Sequence, residues 1–576
     1  MRAFVDNRAI ALSDTAGRGR HRRLNHSTQS FGSTVERTPL SLIRQWHHSG
    51  MDNGNSTSGD PNDRDLNIIN AHIPGSDVGT DTRVDLSIRA GRIVSVTSSL
   101  STASVSASDT ADADTADTID ADGLWVIPGL WDCHTHFTQW SKTLGRLDLI
   151  SARSADEAMA MLRTHLDERR TAGTLDPNAF VVGMRFRHSL WSDDQQPTLA
   201  AIDAVTGEQP VALSSADMHC GWVNSAAARR LGVHVDEKTG LVGELEWFDA
   251  YTQFDKAPGA AEETDRLLRE AERDAAGKGV VGIRDYEMAE NIDTWIRRFA
   301  SGIDRLRVAA GVYPERLQQA IDDGWRTGEE LPGSRGLGTV GAMKLISDGS
   351  LNTRSAYCST PYSGIEPPTY GTLSYTPQQI EEYMRLATEH GFDIACHAIG
   401  DEANTIVLNA AERTRAHGSI EHAQMLKRSD IPRLAQLGLD ASIQPQHAMD
   451  DRDVITRFWA YPAGIPYAFR SLYDAGTRLR MGSDAPVAPL DPWMAISAAV
   501  FGTENSDREP FQPEQCLPVD VALAASTAAG RDHLEAGDPA DLVLLDTDPY
   551  EARTPEEMRA MPQHVSMTFV GGRRIL

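Results

Sequence analysis

The residue types that could do chemistry gather first in VIPGLWDCHTHF, Val126 to Phe137, an apolar run that ends in an acid and two histidines one residue apart. Side chains alternate along a strand, so His134 and His136 project from one face while Cys133 and Thr135 take the other. Two imidazoles at that spacing suit one metal ion. The pair alone is a weak signal, because 18 His among 576 residues meet that spacing by chance. Three later stretches strengthen it: CHAIGD with His397, SIEHAQ with His422 and RMGSDAP with Asp484, each closing an apolar or β-branched run. Four histidines and an aspartate at strand ends suit a borderline-soft divalent ion, zinc first.

Lys344, in VGAMKLISDG, lies within an apolar strand, where an ammonium ion is costly. Either it pairs with Asp348 or another carboxylate, or burial lowers its pKa and it joins the site. An aspartate in GSDAP reads as a turn or helix cap, or, beside the histidines, as a proton carrier. No G-x-G-x-x-G after a strand, no P-loop and no G-x-S-x-G competes with this constellation. Trp125, Trp131 and Trp140 flank the first motif as core or pocket wall.

The elements that must position these residues follow a pattern. Eight strand candidates fall at about 126–132, 280–286, 306–312, 340–346, 393–397, 419–422, 440–444 and 478–484, and helical patterns such as PQQIEEYMRLATEHG separate several of them. Strand and helix in alternation imply a parallel sheet, and eight units fit an α/β fold, the (β/α)8 or TIM barrel. Its active site lies at the C-terminal strand ends, where every proposed ligand falls. The first two strands are about 145 residues apart, so roughly 138–278 reads as an inserted cap within a barrel domain of 127–515. Inside the cap, Asp217, His219 and Asn224 serve either structure or substrate contact. Short strand signals at 63–126 and 516–576, including RVDLSIRAGRIVSV and ADLVLLD, are too brief to stand alone, so the two chain ends pair in a small β-sandwich.

A formal charge of −27 disfavours nucleic acid and anionic membranes as partners. No apolar run is long enough to span a bilayer. Five cysteines at irregular spacings give neither a disulfide framework nor a zinc finger, which fits a reducing cytoplasm, and Cys133 and Cys396 read as small core residues. Residues 1–62 lack periodicity and read as a disordered or misassigned extension, with Met51 as a candidate start.

Six segments in order, PGLWDCHTHF, KLISDGSLNTRSA, CHAIGD, SIEHAQ, SIQPQH and GSDAPVAPLDP, resemble the metal-dependent amidohydrolase superfamily, in particular the amidohydrolase-3 group that includes N-substituted formamide deformylases. The resemblance implies two zinc ions: His134, His136 and Asp484 on one, His397 and His422 on the other, and Lys344, carboxylated by carbon dioxide, on both. Without carboxylation, one zinc held by fewer of these ligands is expected. Water acidified by the metal would attack an amide or formamide carbonyl, with Asp484 as general base and then acid. His447, His219 and Arg354 are the candidate substrate-binding donors, each otherwise an ordinary loop residue. Strand alternation turns Glu421 away from the metal, and Asp401 is expected to orient the loop carrying His397. A deaminase of aromatic rings is the alternative, although no Glu closely follows His397; a non-catalytic scaffold on the same barrel is the alternative from another class. The expected partner is a small molecule, and the resemblance suggests a homo-oligomer.

Overall fold

A computed structural model describes residues 65–75, 83–99, 116–188, 191–215, 220–243, 246–247, 250, 259–351, 353–459 and 463–576. The expected extension at 1–62, most of the acidic Ser/Ala/Asp loop before 117, and Asp217 and His219 lie outside the described residues. Eight parallel strands form the barrel, in sequence order Leu130–Thr135, Val280–Asp285, Arg307–Val312, Gly338–Ile346, Ile394–Ala398, Gly418–His422, Asp440–Ile443 and Leu479–Met481. The sheet closes on itself through a parallel bridge between Thr135 and Ala485, where Asp484 N donates to His134 O at 2.7 Å and His136 N to Ala485 O at 2.8 Å. Ring closure therefore brings the first and last motifs together through backbone hydrogen bonds, joined by Ser483 N donating to the Asp132 carboxylate at 3.0 Å.

Helices fall between the strands as the alternation predicts. The segment PQQIEEYMRLATE forms Pro377–Glu389, opened by Thr376 and Gln379 in a reciprocal capping box with Pro at the first turn. Its apolar stripe of Ile380, Met384 and Ala387 is buried in the shell between sheet and helices, with Trp295, Met343 and Ile420. That shell fixes the barrel, so the strand ends are a rigid platform for side chains.

The expected first strand is in fact two. Trp125–Pro128 pairs antiparallel with Leu542–Leu545 in a small sheet, and the barrel strand begins at Leu130. Gly129 makes the transition: a Cβ there would stand 2.5 Å from both methyls of Val281. A continuous apolar run carries no sign of where it changes sheets, because both halves are buried. The small sheet joins the two chain ends in the order Arg573–Arg574, Val565–Val570, Leu542–Leu545, Trp125–Pro128, Leu66–His72, Arg83–Arg89, Arg92–Ser98, with Asp117–Asp120 on Leu66–His72. Alternate burial along Arg83–Arg89 directs Val84, Leu86 and Ile88 into a core shared with Leu542 and Phe569.

After the first barrel strand the inserted segment builds a five-stranded sheet of its own, Leu147–Asp148, Val181–Phe186, Val211–Ser215, Cys220–Val223 and Leu241–Gly243. Leu162, Phe186, Ile202 and Trp222 fill a separate core. Asn224 is structural: its Oδ1 accepts from Ala227 N at 2.9 Å, capping Ser225–Leu231, and from Val211 N at 3.0 Å. Among the described residues, no helix is long and apolar enough to cross a membrane.

Candidate metal centre at the barrel mouth

Register sets the first row of side chains. Ile346, His397 and Glu421 are direct neighbours across three barrel strands, so all three share the inward face. Alternation would then send His422 outward. It does not, because His422 has φ +69° and turns its ring back over the barrel. Asp484, beyond the eighth strand, uses the same device at φ +56°. Such a backbone is unfavourable for residues with a Cβ and persists where surrounding structure holds it, which is common at functional sites.

The folded chain therefore brings His134, His136, Lys344, His397, His422, His447 and Asp484 to the lining of one cavity of about 360 Å3. One ligand atom each from His134, His422 and Asp484 lie within 4.8 Å of one another. Asp484 Oδ1 stands 3.3 Å from His136 Nε2 and 3.6 Å from His134 Nε2, and its Oδ2 is 3.9 Å from His447 Nε2. The His422 ring centroid is 5.0 Å from that of His134, 4.6 Å from His397 and 5.9 Å from His447, the last pair stacked. Lys344 Nζ donates to His134 Nε2 at 3.0 Å and lies 4.7 Å over the Tyr286 ring.

The places of Glu421, Asp348 and Asp401 differ from the sequence reading. Glu421 is turned into the barrel rather than away from it, and accepts from His134 Nδ1 at 2.6 Å and from the Ser419 hydroxyl. Asp348 does not pair with Lys344; it accepts from Ile399 N at 3.1 Å and from Gly400 N and Tyr357 N at 2.9 Å. Asp348 Oδ1 also stands 3.1 Å from His397 Nδ1, off the line of a hydrogen bond. It thus ties down the loop after His397, the task expected of Asp401, which instead accepts from Ser359 N at 2.9 Å. Arg354 lies over the Phe458 ring at 5.4 Å and is not among the cavity's lining residues, and His219 is outside the described residues. Gln424, Asp450 and Asp451 also line the cavity, and no spacing in the sequence pointed to them.

Electrostatics sort these groups by protonation. Burial, then the charge of Lys344, lowers His134 to about 4, so its ring is neutral at neutral pH, with Nδ1 carrying the hydrogen given to Glu421. Burial and the His397 and His134 rings hold His422 well below the ordinary imidazole value. For Asp484 burial acts upward, but His134, His136, His422 and His447 outweigh it and keep the carboxyl well below its usual range. Burial lowers Lys344 against the pull of Glu421 and Asp484.

A divalent cation fits this donor set. His136 Nδ1 and His422 Nδ1 are buried without a hydrogen-bond partner, a costly state for an imidazole nitrogen in the absence of another ligand. Imidazoles with an ionised carboxylate are the ligands a borderline-soft ion takes. Together with the closed α/β barrel, this defines a metal-dependent hydrolase. The amidohydrolase family model matches residues 117–576, and the chain belongs to the amidohydrolase family. It is 27% identical over 484 residues to YtcJ of Bacillus subtilis (strain 168), covering 78% of this chain and 89% of that one. It is 26% identical over 568 residues to the N-substituted formamide deformylase of Arthrobacter pascens, covering 88% and 98%. The fold is similar to the crystal structure of an uncharacterized metal-dependent hydrolase from Pyrococcus horikoshii OT3, with a TM-score of 0.69 at 23% identity over 85% of this chain and 99% of that one.

Proposed function

We propose that the protein hydrolyses a carbon–nitrogen bond other than a peptide bond, at an amide or formamide-type carbonyl, with zinc as the metal. The observation that carries this reading is Asp484, an ionised carboxylate with one oxygen facing His134 and His136 and the other facing His447. A divalent ion bound beside it supplies Lewis acidity to the carbonyl and makes water acidic enough to attack at neutral pH. Asp484 takes the proton from the attacking water and passes it to the leaving nitrogen. His447 is placed to donate to the carbonyl oxygen as negative charge builds there. Similarity to the formamide deformylase supports an amide-type substrate.

Of the chain's groups, His134, His136 and Asp484 would hold one ion, His397 and His422 a second, and Lys344, carboxylated at Nζ, both. Carboxylation joins Nζ to the carbon of carbon dioxide and releases a proton, so it needs the neutral amine that burial of Lys344 favours. The compactness of the cluster supports the pairing, since His134 of the first set and His422 of the second share one group with Asp484. The five free cysteines support a cytoplasmic setting, and a homo-oligomer belongs to the same reading.

Metal per chain, by elemental analysis of wild type and Lys344→Ala alongside formate release from N-formyl compounds, tests this. Two ions falling to one or none, with formate released, is expected. One ion unchanged by the substitution would make Lys344 structural, and ammonia release from purines or pterins would favour a ring deaminase. Asp484→Asn is expected to keep metal and lose turnover.

A further inference from the structure

Two of the eight barrel strands give the cavity no lining. Among the described residues the lining comes from the other six strands or the segments that follow them, whereas Val280–Asp285 and Arg307–Val312 supply none of it. The second strand runs straight into Tyr286, which is 1% exposed. Although it is buried, Tyr286 is not part of the apolar shell between sheet and helices. It packs against two residues of the site instead. Its ring stands nearly perpendicular to that of His134, with centroids 5.0 Å apart, and Lys344 Nζ lies 4.7 Å over its face. Lys344 Nζ in turn donates to His134 Nε2 at 3.0 Å, so the three side chains form a closed set.

The ring itself is held from several sides. Tyr286 N donates to Thr135 O at 2.7 Å, its carbonyl accepts from the Tyr313 hydroxyl at 2.7 Å, and its own hydroxyl is hydrogen-bonded to the Arg284 side chain. Gly311, in the third strand, leaves the room the ring fills: a Cβ there would stand 2.6 Å from Tyr286 Cδ1. Lys344 carries Nζ on a flexible four-carbon stem, so burial alone does not fix where the nitrogen ends. An aromatic face attracts N–H groups, and a perpendicular ring contact favours one orientation of its partner. Both effects act here on residues that line the cavity, from a ring that does not line it.

We propose that Tyr286 is a positioning residue of the metal centre: its ring face sets the place of Lys344 Nζ, its perpendicular contact sets the His134 ring, and Gly311 makes the space for both. The proposal rests on reading His134 and Lys344 as metal ligands. It gives the second and third strands a part in the site although neither supplies a ligand, and it assigns that part to the ring rather than to the hydroxyl.

The test compares Tyr286→Phe, which keeps the ring, with Tyr286→Leu, which does not, in the full-length protein. Zinc affinity is measured by competition with a chelator, and the visible spectrum is recorded with cobalt(II) in place of zinc. Tyr286→Leu is expected to bind zinc roughly tenfold more weakly, the lower end of the scale for losing a group behind a ligating histidine, with an altered cobalt spectrum. Tyr286→Phe should match wild type in both, even where the lost bond to Arg284 lowers its urea midpoint. The chain has six lysines, so ε-13C-lysine labelling gives few signals, and Lys344→Met identifies the one from Lys344. In metal-free protein that signal should stand upfield in wild type and Tyr286→Phe and return toward the others in Tyr286→Leu. Because this signal is read without metal, a wild type that takes up no ion defeats the hydrolytic reading while the signal still decides the placement by Tyr286. Wild-type zinc affinity in folded Tyr286→Leu, equal losses in the Phe and Leu variants, or an unmoved Lys344 signal overturns the proposal. If Tyr286→Leu does not fold, Gly311→Ala, which displaces the ring, decides: weaker zinc binding supports the proposal and unchanged binding overturns it.

Discussion

Two glutamates in this molecule are equally hidden from solvent and end in opposite states. Glu421, in the sixth barrel strand, is 0% exposed; Glu272, in the helix Ala260–Gly277, is 1% exposed. Burial alone raises a carboxyl, and at Glu272 little opposes it: Arg305 N donates at 2.8 Å, the Asp304 charge acts the other way, and the group is pushed up to about 7. At Glu421 the same penalty is outweighed by His134, Lys344 and the Ser419 hydroxyl, which bring it down to about 2. The difference teaches that an ionised buried carboxylate marks a place where the fold has supplied partners, and here those partners are the residues read as metal ligands. An ionised Glu421 keeps the hydrogen on His134 Nδ1 and leaves the Nε2 electron pair on the cavity side, where it accepts from Lys344 Nζ.

Removing His134 breaks this arrangement most completely. His134→Ala is expected to abolish turnover and lower metal content, read by elemental analysis and steady-state assay. It also leaves Glu421 a buried charge short of a partner, so stability should fall by about 3–5 kcal/mol in urea unfolding. Retention of wild-type rates would remove the mechanism. Glu421→Gln is gentler, because shape and burial are kept while the acceptor that orders the His134 hydrogen is weakened. Metal affinity, measured by competition with a chelator, should drop by roughly 10–100-fold, the usual scale for losing a carboxylate behind a ligating histidine. Unchanged affinity would mean that Lys344 and Asp484 orient the ring without Glu421.

Much of this site was legible in the sequence, because each motif closes a strand and a barrel must bring strand ends together. His134, His136, Lys344, His397, His422, His447 and Asp484 all reach one cavity for that reason. What the sequence hid was backbone geometry. Alternation placed Glu421 outside only because His422 was assumed to continue the strand, whereas Glu421 keeps the inward register and the His422 φ of +69° turns that ring inward as well. Asp348 and Asp401 are both short acids just past a strand, and nothing local says which meets the amides of Ile399 and Gly400. Gly129 is similar: the steric need for it comes from Val281, about 150 positions away in sequence.

The expected effect that leaves the metal site untouched tests the other half of the comparison. Glu272 keeps its proton to about pH 7 when folded but releases it near 4.5 when unfolded. Between those values the folded state binds the extra proton, so stability is greatest at and below pH 4.5 with respect to this group. It declines as pH rises toward 7 and is level above it. The decline amounts to about 3 kcal/mol if no other group compensates. Glu272→Gln keeps an oxygen to accept from Arg305 N and carries no titrating proton, so its urea midpoint should change less than wild type between pH 5 and pH 8. Because Glu272 lies among buried helix residues rather than in the cavity lining, metal content should be unaffected by that substitution. If wild type and variant lose stability in parallel across this range, burial without partners is not what sets the state of Glu272, and the contrast with Glu421 fails at that end.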